Sequence, residues 1–161
     1  MTEAHEILLT SCSEDATERL GKGLGPAVRP GDVIVLSGPL GAGKTRFVRG
    51  LARGMGSAAH VRSPSFMLVL SYPGDVRLTH LDLYRLQRAE VDDLGIDEAL
   101  EESALVVEWG ERLPHAYLAD ALTLRIEPTA ENERTFHASA TGERGSVLLD
   151  AWRELRSETQ S

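Results

Sequence analysis

One stretch constrains this chain more than any other: Gly38-Pro-Leu-Gly-Ala-Gly-Lys-Thr45. Glycines at 38, 41 and 43 let the backbone curl so that its N–H groups converge, a shape in which a Cβ would clash. Lys44 and Thr45 then complete the pattern Gly-x-x-x-x-Gly-Lys-Thr at every fixed position. A loop of this kind needs a buried strand before it and a helix after it. Val33-Ile34-Val35-Leu36 is a continuous apolar run of the kind a fully buried strand carries. Phe47, Val48, Leu51, Ala52 and Met55 fall on one helical face, and Gly54 and Gly56 end that helix. The expected chemistry is phosphate binding. Converging N–H groups and a helix N-terminus favour an anion, Lys44 adds a point charge for the β- and γ-phosphates, and the Thr45 hydroxyl suits Mg²⁺. ATP and Mg²⁺ are therefore the expected ligands. Gly38, Gly41, Ala42, Gly43, Lys44, Thr45 and Arg46 are the expected nucleotide contacts.

Such a loop also needs a carboxylate near the metal, at the end of a neighbouring buried strand. Asp82, in Leu78-Thr-His-Leu-Asp-Leu-Tyr-Arg85, and Glu108, which ends Leu105-Val-Val-Glu-Trp109, both meet that requirement. The residues alone do not say which acid binds the metal and which orients an attacking water. His80 precedes Asp82 by two positions, on the same strand face, where it could polarise that acid or serve as a core histidine. Ser63-Pro-Ser-Phe66 lies where nucleotide-sensing switches occur, with Ser65 as its hydroxyl. Tyr84 and Arg85 read as surface packing, Trp109 as core filling, and Arg134 as a surface arginine.

Elsewhere the patterning predicts a short strand from Glu6 to Ser11 and a helix capped by Ser11 or Ser13 that stops at Gly25-Pro26. A hairpin is predicted with strands at 65–72 and 76–83, then a weak acidic helix at 90–102 broken at Gly95. A buried strand at 104–107 follows, then antiparallel edge strands at 122–126 and 136–140 and a terminal helix at 146–155. The fold class is α/β: a single P-loop domain over 1–156 with a mixed parallel and antiparallel sheet, flanking helices and a polar tail at 157–161. A net charge of −8 argues against direct capture of nucleic acid. The single cysteine, Cys12, permits no internal disulfide. The first residues lack a leader pattern and no apolar run reaches membrane-spanning length, so the expectation is a cytoplasmic protein with no membrane partner.

Taken together, Gly38 to Thr45, Ser63-Pro-Ser-Phe66, His80-Leu-Asp-Leu-Tyr-Arg85, Leu94-Gly-Ile96 and Val107-Glu-Trp109 resemble, in order and spacing, the bacterial TsaE-type ATPases of tRNA threonylcarbamoyladenosine biosynthesis. The resemblance spans most of the chain. It implies a Mg²⁺-dependent ATPase that is weak alone and works with the TsaD and TsaB subunits, meeting tRNA only indirectly. ATP turnover would reset that transfer complex between cycles. The resemblance gives Mg²⁺ to Thr45 and Glu108 and hydrolysis to Asp82, which with Lys44 makes three expected catalytic residues. It also places Arg134, and the first helical turn around Ser13 to Ala16, near the nucleotide. Pro39 departs from the aspartate common in the family, and Ser65 replaces a common threonine. Two other readings of the residues are a small P-loop kinase, in which Asp82 activates an acceptor hydroxyl, and a non-catalytic nucleotide-dependent binding module. The lack of an arginine-rich lid segment argues against the kinase.

Overall fold

The computed structural model describes residues 6–39, 41–62, 69–84 and 94–155. Its organising strand is β2 (Val33–Ser37), which lies between β5 (Ser103–Glu108) and β6 (Ala121–Ala130) and runs parallel to both. β4 (Arg77–Asp82) continues the parallel set beyond β5, and β3 (Val69–Tyr72) closes that side antiparallel to β4. On the other side β7 (Glu133–Thr141) pairs antiparallel with β6, and β1 (Ile7–Ser11) pairs antiparallel with β7. The sheet order is β1-β7-β6-β2-β5-β4-β3.

Both faces of the parallel centre are covered, as parallel strands require. On one face pack α1 (Glu14–Leu24), α2 (Lys44–Gly54) and α5 (Gly142–Glu154). They bring Leu20, Leu24, Phe47, Leu51, Leu148 and Trp152 onto Ile34, Leu36, Val106 and Leu124. The rings of Phe47, Phe136 and Trp152 meet there, tying α2, β7 and α5 together. On the other face α3 (Ile96–Glu102), α4 (His115–Leu118) and the 3₁₀ turn Gly110–Arg112 cover Val33, Val35, Leu105 and Val107. No helix among the described residues is long and apolar enough to cross a membrane.

Ser13 is the cap of α1, its Oγ accepting from the Ala16 N–H at 3.0 Å; Ser11 stays in β1. The hairpin forms over β3 and β4, and the buried strand before Glu108 forms as the sequence predicts; positions 65–68 of the first hairpin strand lie outside the described residues. In the acidic region the described helix, α3, begins after Gly95, whose φ is +72°; positions 90–93 of the predicted helix lie outside the described residues. The prediction of edge strands at 122–126 and 136–140 is corrected: β6 and β7 are antiparallel to each other but interior, and the described edges are β1 and β3. The alternation that suggests an edge has a local cause. Leu122, Leu124 and Ile126 of β6 pack into the core on the α1–α2 face, while on the opposite face Thr123 is half-buried and Arg125 exposed. The polar tail at 157–161 lies outside the described residues.

α1 and α2 approach so closely that their backbones touch. A Cβ on Gly50 would fall 1.9 Å from the Glu18 carbonyl oxygen, and one on Gly21 would fall 2.2 Å from that of Phe47. Ordinarily Gly→Ala inside a helix stabilises by roughly 0.5–1 kcal/mol. Here the added methyl meets rigid backbone, so Gly50→Ala is expected instead to destabilise by about 1–3 kcal/mol or more. Urea unfolding of the two proteins checks this; a neutral or stabilised variant would show that the helices can separate freely.

Candidate functional site

At the carboxyl end of β2 the chain passes through Gly38, Gly41 and Gly43, with φ of +149°, +79° and +101°, before α2 starts at Lys44. Gly43 is the N-cap of α2 and offers no side-chain acceptor, so the first-turn N–H groups stay available to an anion. Around this turn lies a cleft of about 300 Å³. Its walls are the stretch Gly41 to Arg46, Glu14 and Thr17 from α1, the acids Asp82 and Glu108, Trp109, and Arg134 from β7.

Lys44 is buried. Its Nζ donates to the Gly38 carbonyl at 2.6 Å and lies 4.6 Å from the centroid of the Trp109 ring. Burial pulls its pKa below the ordinary lysine value, opposed by the negative charges of Glu108, Asp82 and Glu111. Asp82 and Glu108 are direct register partners on adjacent parallel strands, and both are buried at the cleft. The Asp82 Oδ1 accepts from the Tyr84 N–H at 3.0 Å. The structure thus gathers Lys44, Thr45, Asp82 and Glu108 around one volume, as their positions in the sequence predict.

Arg134, a surface residue on sequence alone, is carried by the β7–β1 pairing to the cleft wall. Its side chain packs on Gly43, where an added Cβ would fall 3.0 Å from Nε. That Nε is buried without a hydrogen-bond partner among the described residues, which is the condition of a donor awaiting an acceptor. The Arg46 guanidinium turns to α1, with Nε 2.9 Å from Glu18 and Nη2 3.1 Å from Asp15. Any hold that Arg46 has on a phosphate therefore comes from its backbone.

Of its two readings His80 takes the second, a hydrogen-bonded core histidine. Both of its ring nitrogens are taken: Nε2 lies 2.6 Å from Glu108 Oε2, and Nδ1 lies 3.2 Å from the Tyr72 hydroxyl. It serves Glu108, not Asp82. Residues two apart share a strand face but point in parallel, so the ring reaches diagonally onto the neighbouring strand. Tyr72 was not legible as a site residue, because only the pairing of β3 with β4 brings it there. Its hydroxyl also donates to the Arg62 carbonyl at 3.1 Å. Burial raises its pKa above the ordinary phenol value, the Arg62 hydrogen bond opposing, so it remains a donor at neutral pH.

Trp109 is not simple core filling. It is only partly buried, adopts φ +62°, and is the one non-glycine residue among those described with positive φ. That left-handed turn lays its ring against Lys44 on the cleft side and Tyr84 on the other, at 4.8 Å between ring centroids. Tyr84 is exposed. The segment Ser63 to Phe66 and Arg85 lie outside the described residues. Among the described residues no three His, Cys, Asp or Glu side chains form a metal cluster. Mg²⁺ does not require one, since it draws on a hydroxyl, one or two carboxylates, waters and substrate phosphates. Thr45 with Glu108 or Asp82 fits that donor set.

Residues 11–136 match the family model described as threonylcarbamoyl adenosine biosynthesis protein TsaE. The chain belongs to the TsaE family. It is 42% identical over 134 residues to the tRNA threonylcarbamoyladenosine biosynthesis protein TsaE of Streptomyces coelicolor, covering 78% of this chain and 90% of that one. The Bacillus subtilis protein of the same name is 34% identical over 138 residues, covering 84% and 87%. Among solved structures, Bacillus subtilis YdiB superposes with a TM-score of 0.79 at 29% identity, covering 96% of this chain and 98% of that chain. The likeness to YdiB is one of α/β fold over nearly the whole chain, and the family's role lies in tRNA threonylcarbamoyladenosine biosynthesis.

The contact of Gly43 with Arg134 makes a test of the cleft. Gly43→Ala puts a methyl at positive φ, costing about 1–3 kcal/mol of strain, and pushes it against the guanidinium. The expected result is a folded protein with lower thermal stability and at least tenfold weaker binding of pyrophosphate. Calorimetric titration with pyrophosphate reads this, and unchanged affinity would place anion binding elsewhere.

Proposed function

We propose that this TsaE-family protein binds ATP with Mg²⁺ in the cleft, hydrolyses it slowly alone, and acts with the TsaD–TsaB transfer subunits to permit repeated rounds of tRNA modification. One observation carries the reading. Donors at the first turn of α2, at Lys44 and at the Arg134 Nε face two buried carboxylates across a single cleft. Donors on one side suit phosphates, and carboxylates on the other suit a divalent cation bound to them.

The residues divide the work as follows. The backbone from Gly41 to Arg46 cradles the phosphates. Lys44 exchanges its Gly38 carbonyl for phosphate oxygens, a stronger charge-assisted contact. Thr45 and Glu108 hold Mg²⁺, which when bound neutralises charge developing on the phosphates. Asp82 orients the attacking water and accepts its proton. Arg134 contributes its orphaned Nε to the nucleotide.

The acidic balance of the chain, 25 acidic residues against 17 basic, favours delivery of the work to a protein partner over direct capture of tRNA. The place of action is then the cytoplasm, where tRNA and ATP meet.

Lys44→Ala is expected to weaken ATP binding by about 1.5–3 kcal/mol, roughly ten- to a hundredfold in Kd. Calorimetry with ATP and Mg²⁺ reads the loss; a folded variant with wild-type affinity would move the phosphate site. The acids should separate. Asp82→Ala is expected to retain ATP and lose turnover, whereas Glu108→Ala should lose the Mg²⁺ dependence of binding. Phosphate release and multiple-turnover modification, measured with TsaD, TsaB and tRNA, test the whole reading. A protein that neither binds those subunits nor changes repeated turnover would overturn the partnership.

A further inference from the structure

Behind Glu108 a line of buried polar groups leads out of the cleft. Oε2 of Glu108 meets Nε2 of His80 at 2.6 Å, Nδ1 of His80 meets the Tyr72 hydroxyl at 3.2 Å, and that hydroxyl donates to the Arg62 carbonyl at 3.1 Å. His80 is fully buried, and Glu108 and Tyr72 are each 4% exposed. Their neighbours on that face are apolar, among them Leu36, Leu78 and Val106. Buried polar groups in such surroundings are costly unless each finds a partner, and here each does. A carboxylate only accepts hydrogen bonds, so Nε2 carries a proton and donates to Oε2; the single Tyr72 hydroxyl hydrogen goes to the Arg62 carbonyl, so Nδ1–H donates to the Tyr72 oxygen. One carboxylate oxygen is thereby committed and the plane of the group is fixed.

We propose that His80 is a positioning residue that aims the Glu108 carboxylate at the metal, and that Tyr72 locks the ring by tethering it to the backbone at Arg62. The proposal rests on the assignment of Mg²⁺ to Glu108 above. Its physical content is a hydrogen-bond donor behind a ligating carboxylate, an arrangement that orients the ligand and raises the affinity of the site. The tether makes the orientation depend on β3, an edge strand, and on the backbone at Arg62, neither of which lines the cleft. Movement at Arg62 would therefore reach the metal through three side chains, Tyr72, His80 and Glu108, without any contact to nucleotide.

Three variants separate positioning from packing. His80→Leu keeps bulk and removes the donor. His80→Gln keeps an amide donor near the place of Nε2. Tyr72→Phe removes only the hydroxyl. For each, ATP binding is titrated by calorimetry at stepped Mg²⁺ concentrations and again in excess EDTA, with melting recorded without ligand. His80→Leu is expected to raise the Mg²⁺ concentration for half-maximal binding about ten- to a hundredfold, the usual range when such a partner is lost, and to leave affinity in EDTA within about twofold. His80→Gln should restore most of the Mg²⁺ dependence, and Tyr72→Phe should fall between. Because Arg62 is exposed, trypsin should also cut after it faster in Tyr72→Phe than in wild type. A folded His80→Leu protein with wild-type Mg²⁺ dependence overturns the proposal. So does equal impairment of the Leu and Gln variants in proportion to lost melting temperature, which would mean packing alone. A wild-type chain whose ATP binding shows no Mg²⁺ dependence overturns the metal assignment itself, and that result appears before any variant is made.

Discussion

The cleft depends on β2 lying parallel between β5 and β6. Parallel neighbours end at the same side of a sheet, so the turn after Ser37, the acid Glu108 and, one strand further, the acid Asp82 arrive together. An antiparallel β5 would deliver Glu108 to the opposite edge. The strands also diverge here: the connection from β2 leads to α2, and the neighbours on either side belong to later parts of the chain. Open α/β sheets place their ligand crevices at such points, outside the carboxyl ends of the strands. The apolar residues of the middle strands are what hold this register, since β5 is buried along its whole length and can be satisfied only with layers on both faces.

The same burial sets the electrostatics. Two carboxylates and one lysine stand at the mouth of an apolar core, where each charge is expensive unless compensated. Each has a partner in place. Lys44 rests on the Gly38 carbonyl and the Trp109 face, and Glu108 rests on His80. Its left-handed backbone follows from that arrangement: only with φ +62° does Trp109, immediately after Glu108, turn its ring back over Lys44. These partners hold the cleft in order, so a phosphate entering it would replace existing contacts of Lys44, and the net gain would be smaller than the gross strength of the new ones.

Much of this was legible in the sequence, for identifiable reasons. The loop from Gly38 to Thr45 announces itself because its glycines and lysine are dictated by local backbone geometry. Asp82 and Glu108 are legible because each ends an apolar run. What was not legible depends on pairing between distant segments. His80 finds Glu108 across a strand boundary and Tyr72 enters only through the β3–β4 hairpin, while Arg134, placed near the nucleotide by the family resemblance but a surface arginine on its residues alone, reaches Gly43 because β7 turns back beside β6 and β1. The interior position of β6 was hidden for a related reason. A strand with one face in the core and the other partly open carries the alternation of an edge strand, and only its neighbours distinguish the cases.

The cleft also joins two halves of the sheet that are built differently. The loop, Asp82 and Glu108 belong to the parallel half, while Arg134 belongs to the antiparallel half with β1 and β6. α1, which follows β1, adds Glu14 and Thr17 to the same cleft and is pressed against α2 through Gly50 and Gly21. Three ion pairs from Arg46 to Glu14, Asp15 and Glu18 bind the start of α2 to α1. An anion seated on the first turn of α2 and on Arg134 would therefore bridge the two halves at the place where their elements already touch. Since α1 and β7 cannot shift without disturbing the glycine contacts with α2, ligand binding and the packing of α1 on α2 are mechanically one constraint. Any partner that gripped the β1–β7 side or α1 would accordingly act on the same packed elements that line the cleft.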